Sequence, residues 1–310
     1  MSNKNFQVFF DCGFSKVRAG IFNKDNKKEA FYAESQTFTD HSNLELEIKK
    51  MIISFEKVTN KYIDNINLMI DSPKMLSIGI SISKKLDGLK LTKANIQFLI
   101  QDAKKQILKH YTNHNIVHII INNYKIDNFN YSYLPNEIKC DFISLDILFI
   151  CLPRNLILYF KNIFSKSSIL INQIICTSYA KSINYKNNLN LTGYVSFIDV
   201  GFNKTSIISY YNDNIISIDV LPIGGNNITK DISKILGLDL KQAEQLKLNF
   251  DPNSEFLNDK NISLDELKKV IFSRTQEIME LCSTFIKSDW FTNREFKMLL
   301  MGEGSKIMEF

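Results

Sequence analysis

One short stretch occurs twice in this chain, and the repeat limits what the chain can become. Near the N-terminus it reads Phe9-Phe10-Asp11-Cys12-Gly13-Phe14-Ser15-Lys16; about half a chain later it reads Phe197-Ile198-Asp199-Val200-Gly201-Phe202-Asn203-Lys204. Phe, Asp, Gly, Phe and Lys hold the same places in both copies. Each copy closes an apolar run (6–10 and 194–198), and a second run follows it (17–22 and 205–211), with a further strand-like run after that. The expectation is strand, tight turn, strand, strand, made twice, with the two turns facing one cleft. A lone Asp-x-Gly after a strand is usually a hairpin turn; a matched pair points to a duplicated fold.

The chemistry of the turn follows from its residues. A carboxylate at a strand end can hold a magnesium ion, directly or through water. A glycine two residues later brings backbone N–H groups close to phosphate oxygens. Ser15 or Asn203, and the lysine after each, add further donors. Two such loops could clamp the phosphates of a nucleotide from both sides.

Composition narrows the alternatives. The 310 residues suffice for two domains, 45% are hydrophobic, and 11 glycines and 5 prolines exclude a fibrous or low-complexity chain. The net charge of +5 is spread among Asn, Ile and Asp without a dense basic block, so nucleic acid is not an expected partner. The odd set Cys12, Cys140, Cys151, Cys176 and Cys282 contains no C-x-x-C pair and reads as buried thiols in a reducing cytoplasm. No secretory leader and no bilayer-length apolar run are expected.

Along the chain, periodicity predicts a helix over 44–58, a strand at 66–70, and then a unit of different character over 71–165. That unit reads as a strand at 76–83, a helix capped by Thr92 and running to about His110, strands at 116–121, 124–126 and 142–151, and a helix after Pro153. It is expected to be an inserted α+β subdomain. A strand (169–175), a short helix (177–183) and a polar crossing (184–190) lead to the second three-stranded unit at 194–221. Helices at 228–236 and 240–248, a polar loop (250–262), a long amphipathic helix (264–285) and a strand (296–301) complete the order.

Three further constellations carry chemistry. Gly224-Gly225 precedes a helix, where a helix N-terminus can meet an anion. Glu244 and Lys247 share a helix face and could hold a ribose and flank a base; the plain alternative is a solvated ion pair. Gly302 and Gly304 follow the last strand, where bare backbone could pack on a base. His110, His114 and His118 are spaced by four, but the strand at 116–121 breaks the helix that would align them, so no zinc site is assigned. No G-x-S-x-G, Walker A or H-E-x-x-H pattern occurs.

Taken in order, these landmarks resemble the actin, Hsp70 and sugar-kinase superfold, and within it bacterial FtsA, the actin-like cell-division family. The resemblance rests on residues 11–17 (family pattern D-I-G-T-S-K-V), 197–199, 221–232 (P-x-G-G-x-x-x-T-x-D-I) and 243–247 (A-E-x-x-K). The insert lies where FtsA carries its own extra subdomain. The implied fold is α/β: a duplicated actin-like (ribonuclease H-like) fold, two lobes around a nucleotide cleft, with an inserted α+β subdomain. Residues 1–70 and 166–185 would form the first lobe, 71–165 the insert, and 186–310 the second lobe with its own subdomain near 225–290.

By resemblance the cofactors are ATP and Mg2+. Asp11, Gly13, Ser15 and Lys16 would form the first phosphate loop and Asp199 and Gly201 the second. Gly224, Gly225, Glu244, Lys247, Gly302 and Gly304 would surround the nucleoside, with Asp11 and Asp199 toward the metal. The implied partners are the FtsZ C-terminal tail, further copies in a filament, other divisome proteins, and the cytoplasmic face of the inner membrane. FtsA proteins continue into an amphipathic membrane helix, whereas this chain stops soon after Gly304; a fragment, or another route of attachment, is the expectation. Three departures weaken the case for hydrolysis. Phe202 and Asn203 replace loop glycines, Ser206 replaces an Asp, and Glu303 replaces a glycine. A PilM-like pilus-assembly homologue and a kinase of the same superfold are the alternatives.

Overall fold

The computed structural model describes residues 6–307 apart from 26–27, 36–42, 136–137, 251–262 and 287–295. Each copy of the repeat builds the expected turn between antiparallel strands. In the first, β1 (Phe6–Cys12) pairs with β2 (Val17–Asn23), which pairs with β3 (Glu29–Glu34). In the second, β10 (Tyr194–Val200) pairs with β11 (Thr205–Tyr211), which pairs with β12 (Asn214–Leu221). The registers correspond residue for residue: Asp11 lies opposite Arg18 and Cys12 opposite Val17, as Asp199 lies opposite Ser206 and Val200 opposite Thr205.

Each repeat also gains a parallel strand on the other side of its Asp-bearing strand. β4 (Asn65–Ile70) and β9 (Leu170–Cys176) extend the first sheet to the order β3-β2-β1-β4-β9, and β13 (Lys297–Met301) completes the second, β12-β11-β10-β13. Parallel strands aligned this way gather their C-terminal ends at one edge, where open α/β sheets bind ligands. Asp11, Asp71, Thr177, Asp199 and Gly302 all stand at or just past such ends.

Apolar alternation fixes the packing. On β10, Val195 and Phe197 join the main core, whereas Ile198 and Val200 face α7 (Leu264–Ser283) through Ile278 and Cys282. The main core also holds α1 (Leu44–Thr59), with Leu44, Ile48, Met51, Ile52 and Phe55 on its buried face, and α3 (Arg154–Ser165). Phe10 sits at its centre, fully buried, against the rings of Phe55 and Phe164 at 5.9 and 5.3 Å. A ring buried this completely contributes roughly 1.5–3 kcal/mol.

The segment between β4 and α3 forms a third sheet, β5-β8-β6-β7, from β5 (Leu76–Lys85), β6 (His114–Ile126), β7 (Phe129–Tyr131) and β8 (Phe142–Pro153). Its helix α2 (Lys93–His110) is capped by Thr92 as predicted, with Ile96, Leu99, Ala103 and Ile107 buried. β8 is two-faced. Ile143, Leu145, Ile147, Phe149 and Cys151 pack under α2, while Leu148, Ile150 and Leu152 belong to the main core.

Several boundaries differ from expectation. The strands at 116–121 and 124–126 are one strand, β6, that absorbs two irregularities of register against β8. The polar stretch 184–190 mostly continues α4 (Thr177–Asn188), because its Asn residues lie on an open face while Lys186 turns inward to meet Asp213 at 2.7 Å. The expected loop at 250–262 lies almost wholly outside the described residues. His110 ends α2 while His114 and His118 lie on β6, so the three do not share a helix face. Two shorter helices, α5 (Gly225–Leu236) and α6 (Leu240–Leu248), pack on α7 through Ile228, Ile232, Ala243, Leu267 and Ile271.

Candidate functional site

Both turns close in the same way. The Gly13 N–H donates to the Lys16 carbonyl at 2.9 Å, and the Gly201 N–H to the Lys204 carbonyl at 2.8 Å. A Cβ on either glycine would lie 3.0 or 3.1 Å from that carbonyl oxygen, so close approach within the turn accounts for the glycine. Gly302, just beyond β13, has φ of +88°, and a Cβ there would meet Asp199 Oδ1 at 2.5 Å. It therefore lets the last strand end directly on the second Asp.

Three carboxylates converge between the turns. Asp11 accepts a hydrogen bond from Thr177 at 3.0 Å. Asp199 meets Lys181 of α4 at 3.4 Å, and its other oxygen is buried without a hydrogen-bond partner. Asp71, one residue past β4, pairs with Lys204 at 3.0 Å and accepts from the Ser178 N–H at 3.0 Å and the Cys176 thiol at 3.1 Å. Burial works to raise the Asp71 carboxyl, but Lys204 and the thiol hydrogen bond outweigh it and hold the group below its ordinary range. Lys204 is the mirror case: burial works to lower it, and Asp71 and Asp199 keep it above the usual lysine value.

Asp11 behaves differently, because burial outweighs the opposing Lys181 charge and Thr177 hydrogen bond and raises its carboxyl. A raised carboxyl binds its proton more tightly in the folded state, so its contribution to stability falls as pH rises through the folded value. Asp11→Asn keeps an acceptor for Thr177 and removes the buried charge. The ligand-free variant is expected to melt above wild type at neutral pH, and the gain should vanish on acidification toward the ordinary Asp value of about 4. Melting curves across that range check this; a variant no more stable than wild type at neutral pH would rule out burial as the governing factor.

The polar rim is also paired. Lys16 meets Glu34 at 2.7 Å, and Arg18 meets Glu303 at 2.7 Å, bridging the first sheet to the turn after β13. Glu303, the acid standing where the family has a glycine, is therefore faced by a guanidinium.

A cavity of about 270 Å³ opens beside the turns, lined by Ser15, Lys16, Gly201, Phe202, Gly225, Glu244, Lys247, Phe250, Gly304 and Ile307 among others. A narrower pocket, lined by Asp11, Gly13, Asp71, Thr177, Lys181, Asp199 and Lys204 among others, shares Ser15, Lys16, Gly201, Phe202 and Glu303 with it. One end is thus aromatic and glycine-floored, and the other is charged. Glu244 and Lys247 reach the cavity wall already joined, 2.6 Å apart and both buried. Lys247 also donates to the Thr229 hydroxyl at 2.8 Å and the Gly225 carbonyl at 3.1 Å, and lies 5.7 Å from the centre of the Phe202 ring. The pair is buried, which the solvated-pair alternative did not foresee.

The amides at the start of α5 are likewise engaged. Gly225 and Asn226 donate their N–H groups to the carbonyls of Gly201 and Phe202 at 2.9 and 2.8 Å, and Asn226 reaches Asn203 at 2.9 Å. This helix start therefore braces the second turn, and those two N–H groups do not point at the cavity.

The expected site residues all line or brace this one region. Asp11, Gly13, Ser15, Lys16, Asp199 and Gly201 lie at the turns, Gly225, Glu244, Lys247 and Gly304 at the larger cavity, and Gly302 at the narrower pocket, while Gly224 packs behind the second turn. Sequence reasoning passed over Asp71, Lys181, Arg18 and Thr177, and weighed Lys204 only as one more donor. A signal existed for two of them. Asp71 is the acid that ends a strand beside β1, and Lys204 is the repeat partner of Lys16.

The chain is similar to known proteins in sequence and in fold. The family model described as cell division protein FtsA matches residues 196–290. Cell division protein FtsA from Buchnera aphidicola subsp. Schizaphis graminum is 26% identical over 211 residues, 63% of this chain and 50% of that protein. FtsA from Buchnera aphidicola subsp. Baizongia pistaciae is 26% identical over 264 residues, 78% of this chain and 60% of that protein. The chain thus spans about half the length of these curated relatives. Among solved structures, a PilM-PilN type IV pilus biogenesis complex superposes with a TM-score of 0.70 at 12% identity, covering 98% of this chain and 83% of that one. The likeness in sequence is to FtsA, and the duplicated sheets with their matched turns form an actin-like fold.

Proposed function

We propose that this FtsA-like, actin-fold chain is a nucleotide-binding scaffold of bacterial cell division that works at the septum on the cytoplasmic face of the inner membrane. The observation that carries this reading is where the family match falls. Residues 196–290 supply the second turn and helices α5 and α6, which form one wall of the cavity, and α7, which packs behind them. In this reading ATP lies with its base toward Phe202 and Phe250 and its phosphates between the two turns, near Ser15, Lys16 and Lys181. Residues 1–70 and 166–185 act as one lobe, 186–310 as the other, and 71–165 as the insert. Filament formation, other divisome proteins and membrane attachment belong to the same proposal.

The FtsZ C-terminal tail is assigned to the helical cluster of the second lobe. An open groove of about 410 Å³ there is lined by Asp231, Ile235, Lys269, Val270, Arg274 and Glu277 among others. It joins an apolar floor to charged walls, a surface suited to a short amphipathic peptide. Hydrolysis is expected to be slow, because the side chains of Phe202 and Asn203 crowd the backbone donors of the second turn and Ser206 stands where a carboxylate is expected. PilM shares the fold alone, at 12% identity, whereas the sequence likeness is to FtsA, so the pilus reading ranks second.

The test is calorimetric titration with ATP and ADP beside a fluorescence titration with an FtsZ tail peptide. Micromolar binding of both, about −8 kcal/mol each, is the expected result. Absence of both would overturn the proposal.

A further inference from the structure

An actin-like nucleotide site ordinarily implies a divalent cation, and Asp11 and Asp199 are the carboxylates that would hold it. The side chains do not fit that ion. Magnesium requires near-octahedral oxygen ligands and keeps several waters, so it needs carboxylate oxygens that are open to it. One oxygen of Asp199 faces the Lys181 ammonium at 3.4 Å; the other is sealed from solvent beneath Gly302. One oxygen of Asp11 is taken by Thr177. No group of three His, Cys, Asp or Glu side chains able to hold a metal occurs among the described residues.

A positive charge already stands at this place. Lys204 leaves the second turn, is buried, and ends 3.0 Å from Asp71 of the first sheet, with Ser206 as its second partner. Its repeat partner Lys16 turns outward instead, to the exposed Glu34, and lines both pockets. The same residue in the two copies has therefore taken different tasks: one ties the two sheets together under the site, and the other stays at the wall where phosphate oxygens would lie. Ser206 matters to this arrangement. An Asp there, as in the family pattern, would add a fourth carboxylate to the cleft; the hydroxyl only accepts the ammonium.

We propose that Lys204 is the resident cation of this cleft, taking the place of a divalent metal, so that a nucleoside di- or triphosphate binds without one. This rests on the nucleotide reading above. A metal entering the narrow pocket would meet a buried ammonium that cannot be displaced without stranding Asp71. The phosphate charge is met by Lys16, Lys181 and Arg18.

The experiment compares wild type with Lys204→Met and with Lys204→Met/Asp71→Asn, in EDTA and in magnesium chloride. Wild-type ADP affinity is expected to differ by less than about twofold between the two media, with no change in melting temperature on adding magnesium alone. Lys204→Met leaves Asp71 unpaired and is expected to be stabilised by magnesium alone. The double variant should lose that response. A tenfold or greater loss of wild-type affinity in EDTA, or stabilisation of the wild type by magnesium alone, overturns the proposal. So does a folded Lys204→Met that ignores magnesium. If ADP fails to bind in every condition, the nucleotide reading falls, while the magnesium-only melting curves still decide the role of Lys204. Should Lys204→Met not fold, the wild-type arms decide it alone.

Discussion

Lys247→Met is expected to lower the stability of the chain by about 3–5 kcal/mol, the usual cost of removing one partner from a buried ion pair. The reason lies in what the substitution leaves behind. Glu244 and Lys247 are both buried, and the ammonium also satisfies the Gly225 carbonyl and the Thr229 hydroxyl. Without it, the Glu244 carboxylate loses its counter-charge, and it and the Gly225 carbonyl are left with the one Thr229 hydroxyl proton between them as side-chain donor. Removing both charges is a different matter, because buried ion pairs often contribute little against neutral replacements of the same size. Glu244→Gln/Lys247→Met is therefore expected to recover most of the loss. Urea midpoints of the two single variants, the double variant and wild type form the cycle that checks this. A Lys247→Met stability within about 1 kcal/mol of wild type would place the pair in solvent, since exposed pairs contribute no more than that.

Gly224→Val is the second large effect, and it acts through space rather than charge. A Cβ at Gly224 would collide with the Gly201 carbonyl oxygen and lie 2.8 Å from the Phe202 carbonyl oxygen and 2.9 Å from the Lys204 amide nitrogen. All three are backbone atoms of the second turn, so no side chain can rotate away. The start of α5 must withdraw, and the bonds from Gly225 and Asn226 to the turn are lost with it. Overpacking of this kind costs about 1–3 kcal/mol, and the backbone displacement places this case at the upper end. Ligand affinity should fall further than stability, because the turn and the cavity wall move apart. Gly237→Ala is the useful control: it sits at a left-handed helix end with open space around it, so it should cost stability modestly and leave affinity unchanged. Equal affinity losses in the two variants would mean that the brace at Gly224 has no special role.

The duplicated frame was legible because it is written in repeated residues and in strand alternation. Asp11 and Asp199, with their glycines, could be aligned by eye, and the registers of the two hairpins correspond as the alignment implies. Thr92 announced the start of α2, and the apolar spacing of Leu44, Ile48, Met51, Ile52 and Phe55 announced α1. The charged floor was far less legible. Asp71 and Lys204 are more than a hundred positions apart, and so are Asp11 and Thr177. Nothing local marks such pairs; they follow only once β4 is placed beside β1, β9 beside β4, and the second turn against the end of the first sheet. The fate of Glu244 and Lys247 was hidden for a related reason. Helical spacing predicts that the two side chains meet, but whether they meet in water or under Phe202 depends on how α6 docks.

The two-faced strand β8 bears on how this chain comes apart. Its Ile143, Leu145, Ile147, Phe149 and Cys151 pack between the third sheet and α2, yet its Leu148, Ile150 and Leu152 belong to the core under the first sheet, and it runs into α3 without a linker. A sheet joined by a flexible tether could melt by itself. This one cannot, since losing β8 strips Phe160 and Phe164 of a packing surface in the same step. The third sheet and the first sheet therefore make one cooperative unit. Four polar contacts cross the cleft at its rim: Lys204 with Asp71, Lys181 with Asp199, Arg18 with Glu303, and Asn122 with the Ile215 carbonyl. All four are polar and can break and re-form at the rim, whereas beneath them Val195, Phe197, Ile208 and Tyr210 of the second sheet share one apolar core with the first, so the two sheets stay joined below the cleft.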